Sequence, residues 1–297
     1  MKFKYRRYYL YYLARVAAAI FSLLPVRMGL LLATLIGRAA FFVLVKYRAI
    51  AIENLERAFG AGKTKREVRR IARQVFENLC KNGIELVNLP KMSRSDIDRI
   101  VRVENIDVID SALRENKGIV VLTGHIGNWD LLAVTIRVKG YQGVVIGKRI
   151  YFEKYDRFLN GLRKKHDVRI IYRDESPKKI LRALKDNWIV GILGDQDVDS
   201  VDGVFVDFFG RRAYTPAGPV LLAKASGAAL IPAFIIRRNG CHTLVIEKPI
   251  ELADTGDKKA DLVTNTQRWS DVVETYIRRY PEQWVWIHRR WKTQKKV

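Results

Sequence analysis

The sequence predicts an α/β fold: a central, mostly parallel or mixed sheet flanked by helices, preceded by an amino-terminal helical hairpin that associates with a membrane. Three observations carry this. Short apolar bursts alternate with longer segments of helical period from residue 63 onward. No internal repeat and no linker rich in Pro, Gly or Ser interrupts that alternation. Of the 297 residues, 48% are hydrophobic and 29% charged, the balance of an ordered globular chain. The division that follows is 1–48 for the apolar, basic amino-terminal region and 49–297 for one domain with a sizeable core.

The amino-terminal region opens with Lys2, Lys4, Arg6 and Arg7 among Tyr5, Tyr8, Tyr9, Tyr11 and Tyr12. Two apolar runs follow, Leu10–Leu24 and Met28–Val45, separated by Pro25 and Arg27 and interrupted by Arg38. Neither reaches the roughly 18 uncharged residues expected of a spanning helix. An interfacial hairpin suits the pattern, with Arg15, Arg27 and Arg38 reaching phosphates and tyrosines at headgroup level. Two buried helices of a soluble domain, or one shallow spanning helix, are the alternatives. A secretory signal is disfavoured, because no small-residue cleavage site follows and the apolar character continues past Pro25.

Further along, Lys63–Val87 has a long helical period, with Pro90 just beyond its end. Buried strands are predicted at Gly118–Thr123, Gly143–Gly147, Val168–Tyr172 and Ile189–Gly194, then at Val204–Phe208, Ala229–Ile236 and Thr243–Glu247. Helices are predicted at Trp129–Val138, Phe152–His166, Ser176–Asp186, Thr215–Ala225 and Leu262–Arg279. Sites in such sheets lie beyond the carboxyl ends of strands, here after Thr123, Gly147 and Gly194.

With 54 Lys and Arg against 31 Asp and Glu, the formal charge is +23, which points to an anionic partner. Cys80 and Cys241 lie far apart with no metal-ligand spacing, so a reducing compartment and no disulfide are expected. The sequence lacks a GxSxG elbow, a P-loop and a GxGxxG fingerprint, which disfavours a serine hydrolase, a P-loop NTPase and a dinucleotide enzyme. Asp195, Asp197, Asp199 and Asp202 do not make a calcium loop, because Ser200 and Val206 occupy the places of its glycine and glutamate.

Of the four histidines, His125 is placed for chemistry. It follows a strand in Gly124-His125-Ile126-Gly127-Asn128-Trp129-Asp130, at the start of a helix. A loop histidine and a first-turn aspartate can converge, so that the carboxylate fixes one imidazole tautomer. A satisfied loop histidine beside a helix-capping Asp130 is the alternative. His166 and His242 lack acidic partners at useful spacing and are expected to be structural or exposed. At the other end, Trp284, Trp286 and Trp291 alternate with His288, Arg289, Arg290 and Lys292. A membrane-edge segment, buried tryptophans with a solvated basic tail, and a nucleic-acid stacking platform are the three readings; the last is disfavoured because no nucleic-acid module accompanies it.

The strand–GHxGNWD–helix stretch resembles the H-x-x-x-x-[DE] motif of the lipid A biosynthesis (late) acyltransferase family, within the lysophospholipid-acyltransferase superfamily. Gly194-Asp195-Gln196 with Val206–Gly210, Thr215–Gly218 leading to Gly227, and the closing run Pro281–Trp291 resemble the family in the same order, over essentially the whole chain. The resemblance implies that His125 is the general base acting on an acceptor hydroxyl and Asp130 its orienting carboxylate. It implies Arg149 as an oxyanion- or phosphate-binding residue, Asp195 as a supporting acid, and Arg289 and Arg290 as acceptor- or phosphate-binding candidates. It also implies an acyl carrier protein as donor, an anionic glycolipid acceptor, a membrane surface, no nucleic acid, no metal and no cofactor. The expected location is the cytoplasmic face of a bacterial inner membrane. Asp130 departs from the glutamate common in late lipid A acyltransferases, which leaves the acceptor open between lipid A and another membrane lipid.

Overall fold

The computed structural model describes residues 2–294, with side chains from Tyr5 onward; the side chains of Lys2 and Lys4, part of the basic start, lie outside the described residues. Helices α1 (Lys2–Leu23), α2 (Val26–Val43) and α3 (Val45–Phe59) precede α4 (Lys65–Asn88). Thr64 and Glu67 cap α4 reciprocally, each side chain taking a backbone N–H of the other residue.

The body continues with α5 (Arg94–Ile100), β1 (Val101–Glu104), α6 (Ile106–Arg114), β2 (Ile119–Thr123), α7 (Trp129–Val138) and β3 (Gly143–Gly147). Next come α8 (Glu153–Lys164), β4 (Arg169–Tyr172), α9 (Pro177–Lys185), β5 (Ile189–Leu193), β6 (Gly203–Asp207) and β7 (Arg212–Pro216). The chain closes with α10 (Gly218–Ser226), β8 (Ala229–Arg238), β9 (Cys241–Ile246) and α11 (Lys258–Arg279). A seven-stranded sheet in the order β1-β9-β8-β2-β5-β3-β4 is parallel except for the β8–β9 pair, and β6 and β7 form a separate antiparallel ribbon. The predicted α/β class and mixed sheet are therefore the observed ones.

Alternation along the central strand β2 divides the core. Ile119 and Val121 pack on the face covered by α5, α6 and α7, while Val120 and Leu122 join Phe76, Val220, Trp269 and Trp284 on the other. The segment predicted as the start of a helix at Thr215 instead ends β7, and the helix begins at Gly218.

The amino-terminal helices differ from the expected hairpin. Both α1 and α2 pack chiefly on α4 rather than on each other, and the division placed at residue 48 falls inside α3. On α2, Gly29, Ala33, Gly37 and Phe41 recur every fourth residue on the buried face, whereas Leu31, Leu35 and Val43 are exposed. The 18 residues of α2 have a mean hydropathy of 1.7, enough by length and composition to cross a membrane. Counting only uncharged runs hides this, because Arg27 and Arg38 interrupt them. A Cβ at Gly37 would sit 2.5 Å from Glu77 Cα, so the two helices touch backbone to backbone. Gly37→Ala must push α2 off α4; the expected loss is about 1–3 kcal/mol, read as a lower Tm in detergent.

Candidate active site

The loop Gly124–Asn128 joins β2 to α7 at the carboxyl end of the sheet. Asn128 caps α7 by accepting from Leu131 N at 3.1 Å. Gly127 has φ +59°, and a Cβ there would stand 1.8 Å from the Ile235 carbonyl oxygen, so no other residue fits this turn. Its N–H donates to Gln283 O at 3.0 Å, which ties the closing segment to the loop.

His125 meets Asp195, and strand register is the reason. β2 and β5 are parallel neighbours with Thr123 opposite Leu193, so the residues two beyond each strand end also come together. His125 Nδ1 lies 2.8 Å from Asp195 Oδ1, and His125 N donates to Asp195 Oδ2 at 2.7 Å. Trp284 Nε1 donates to the same Oδ2 at 2.6 Å. Burial alone would raise the Asp195 carboxyl, but the charge of the His125 ring and the donors from His125 and Trp284 outweigh it and hold it at about 2. An ionised carboxylate accepts only, so Nδ1 donates to it, and in the neutral ring Nε2 is left with a lone pair. The imidazole is 23% exposed and its carboxylate partner 0%. The pair is thus a part-exposed imidazole backed by a buried carboxylate.

Asp130 is not part of that pair. No hydrogen bond or ion pair joins it to His125 among the described residues; its Oδ1 accepts from Arg163 Nε at 2.6 Å. The place beside the imidazole expected for Asp130 is taken by Asp195, because Asp130 leaves the first turn of α7 toward α8 while Asp195 follows the end of the neighbouring strand β5. His125 and Asp130 do line one cleft of about 180 Å³, together with Trp129, Lys148, Asn160 and Arg163.

Arg149 is not among the cleft-lining residues. It stacks 3.9 Å above the Tyr172 ring, with Asp174 and Glu175 at 3.5 and 3.7 Å, and remains half-exposed. Arg163, which the sequence did not single out, supplies the guanidinium in the cleft. Arg290 is buried and donates to Tyr214 O and Thr215 Oγ1, both at 2.6 Å, so it anchors the closing segment on β7 and is not displayed to a ligand. Arg289 is exposed. Trp284, Trp286 and Trp291 are core residues, which removes both the membrane-edge and the stacking-platform readings of that run. His242, expected to lack an acidic partner, has Glu85 at 3.0 Å. His166 Nε2 lies 2.9 Å from Leu89 O, a structural contact.

Arranged in this way, the site can accept a proton at Nε2 from a hydroxyl in the cleft. An apolar slot adjoins it under α7, lined by Val121, Leu132, Ile136, Val145, Ile189 and Leu193.

A family model described as "Bacterial lipid A biosynthesis acyltransferase" matches residues 1–293. The chain is 26% identical over 299 residues to the lipid A biosynthesis palmitoleoyltransferase of Escherichia coli (strain K12), covering 98% of this chain and 94% of that one. It is 24% identical over 293 residues to the lipid A biosynthesis myristoyltransferase of the same strain, covering 99% and 90%. It is also 27% identical over 211 residues to the phosphatidylinositol mannoside acyltransferase of Mycolicibacterium smegmatis (strain ATCC 700084 / mc(2)155), covering 70% and 67%.

Proposed function

The chain belongs to the bacterial lipid A biosynthesis acyltransferase family, and on that premise we propose that it moves a fatty acyl chain from an acyl carrier protein thioester to a hydroxyl of a lipid A precursor. The observation that carries the mechanism is the His125–Asp195 bond, which leaves Nε2 as the proton acceptor at the cleft. The acceptor hydroxyl attacks the thioester carbonyl while Nε2 takes its proton. The tetrahedral intermediate then expels the carrier thiolate, which recovers that proton from the imidazolium, giving an ester and a free thiol. Asp195 stabilises the imidazolium between these steps without becoming protonated. Arg163, braced by Asp130, and Lys148 are the cations in the cleft and serve the developing oxyanion or an acceptor phosphate.

The protein works at the cytoplasmic face of the inner membrane in this reading. Its support is the exposed apolar side of α2, with Leu31, Leu35 and Val43, beside a chain of net charge +23. One observation favours a second acceptor: the phosphatidylinositol mannoside acyltransferase likeness, together with aspartate rather than glutamate at position 130, fits a different membrane lipid. Mass spectrometry of lipids from a deletion strain separates the two. Lipid A lacking one acyl chain is the expected result; an intact lipid A with another lipid losing a chain would replace it.

Charge also sets a kinetic expectation. An acyl carrier protein is acidic and a phosphorylated glycolipid anionic, so both substrates are drawn to a basic enzyme. KM for the donor should rise with salt while kcat holds, measured from low to physiological ionic strength. A salt-independent KM would contradict this.

A further inference from the structure

Behind the His125 loop stands a buried cluster that does not line the cleft and that the mechanism above does not use. Glu85 of α4 is 3% exposed. Its Oε2 accepts from Asn128 Nδ2 at 2.6 Å and from Arg237 Nη2 at 2.9 Å, while its Oε1 accepts from Arg237 Nη1 and lies 3.0 Å from His242 Nε2. Arg237 Nη2 also donates to Asn82 Oδ1 at 2.7 Å, and Asn82 Nδ2 donates to Gly127 O at 2.5 Å. On the far side, Gln283 pairs with both backbone groups of Arg237, at 2.8 and 3.0 Å, and accepts from Gly127 N at 3.0 Å through its own carbonyl.

Three of these bonds, from Glu85, Asn82 and Gln283, reach Gly127 and Asn128, the second and third residues after His125. A buried ion pair contributes little net stability compared with an apolar pair of the same size. Rigidity of the loop it grips is a better account, because a base displaced by about 1 Å loses much of its effectiveness. We propose that Glu85 and Arg237 are positioning residues for acyl transfer, acting through Asn128 and through Asn82–Gly127 to hold the His125 ring against Asp195. The proposal rests on His125 being the base.

The test is a donor–acceptor swap in the full-length protein. Asn128→Asp keeps an oxygen to cap α7 but sets a carboxylate against Glu85. It is expected to lower kcat about 10²-fold, with donor KM within about twofold. Adding Glu85→Gln to the same chain restores a donor facing an acceptor and keeps one carboxylate in the cluster, now at position 128; about tenfold or more of the loss should return, a coupling that independent sites do not show. The proton NMR signal of His125 Nδ1–H reports ring position without turnover, and should shift in Asn128→Asp and return in the double variant. Asn128→Ser, which keeps a capping oxygen and deletes only the donor to Glu85, serves if the double variant does not fold. It should show a reduced kcat at near-unchanged Tm. Wild-type kcat with an unmoved signal in Asn128→Asp or Asn128→Ser overturns the proposal, as does a reduced kcat with an unmoved signal. A moved signal with unchanged kcat upholds the clamp and instead removes His125 from the chemistry.

Discussion

Replacing His125 by alanine is expected to lower the transfer rate by about 10⁴-fold, the upper end of what a positioned acid–base group supplies. The fold should survive. The imidazole faces a cleft, and Asp195 would still accept from the His125 backbone N–H at 2.7 Å and from Trp284 at 2.6 Å. The carboxylate would therefore not be left buried and unpaired, the circumstance that makes such truncations destabilising. Circular dichroism and Tm beside a rate assay check both halves. A His125→Ala protein that is folded and fully active would show that the proton leaves by another route.

Asp195→Asn is the sharper variant, since it changes a tautomer and little else. Asparagine has one acceptor oxygen, and two N–H donors, from His125 and Trp284, already converge on Oδ2. The amide NH₂ must then take the place of Oδ1, facing Nδ1. A donor there forces the imidazole proton to Nε2, the nitrogen that has to be free. The expected fall in kcat is again about 10⁴-fold, the effect of the same replacement in hydrolase triads. KM should hold, because Asp195 is buried beneath the histidine rather than lining the cleft. In contrast, Asp130→Asn should spare the His125 tautomer, since Asp130 pairs with Arg163. Equal losses in the two variants would return the orienting role to Asp130.

How much of this was legible in the sequence depended on sequence distance. β2, β3 and α7 were readable because each is a compact local pattern, an apolar burst or an amphipathic period, bounded by glycine or a cap. β1 was not: Val101–Glu104 is four residues alternating apolar and charged, with no punctuation to mark it. The last two residues of β7, Thr215 and Pro216, were read into the following helix because they resemble a helix start. In the site, His125 was visible from its strand–loop–helix setting. Its partner was not, because the nearest carboxylate in sequence, Asp130, turns to Arg163 on another helix. The β2–β5 register that delivers Asp195 becomes available only once the strands are known to be neighbours. Arg290 and the tryptophans show the same limit in reverse. An aromatic–basic run at the end of a chain looks like a surface, yet the arginine is satisfied by Tyr214 and Thr215 from a ribbon about 75 residues away. The ion pair of Glu85 and Arg237 spans α4 and β8 and leaves no local trace.

Charge can be reread in the same light. Arg290, expected to bind acceptor or phosphate, is engaged in the core, and Arg237 is paired with Glu85 behind the His125 loop. The cations that line the cleft are Arg163, on α8, and Lys148, just after β3.

The most direct test of the account is the mass of the product. Purified wild-type protein would be given an acyl carrier thioester and a tetraacylated or pentaacylated lipid A precursor, and both the lipid and the released acid measured. The account predicts a lipid heavier by one acyl chain, one free carrier thiol for each ester formed, and no such product from His125→Ala. Fatty acid released to water with no acylated lipid, or acylated lipid formed equally by His125→Ala, would contradict it.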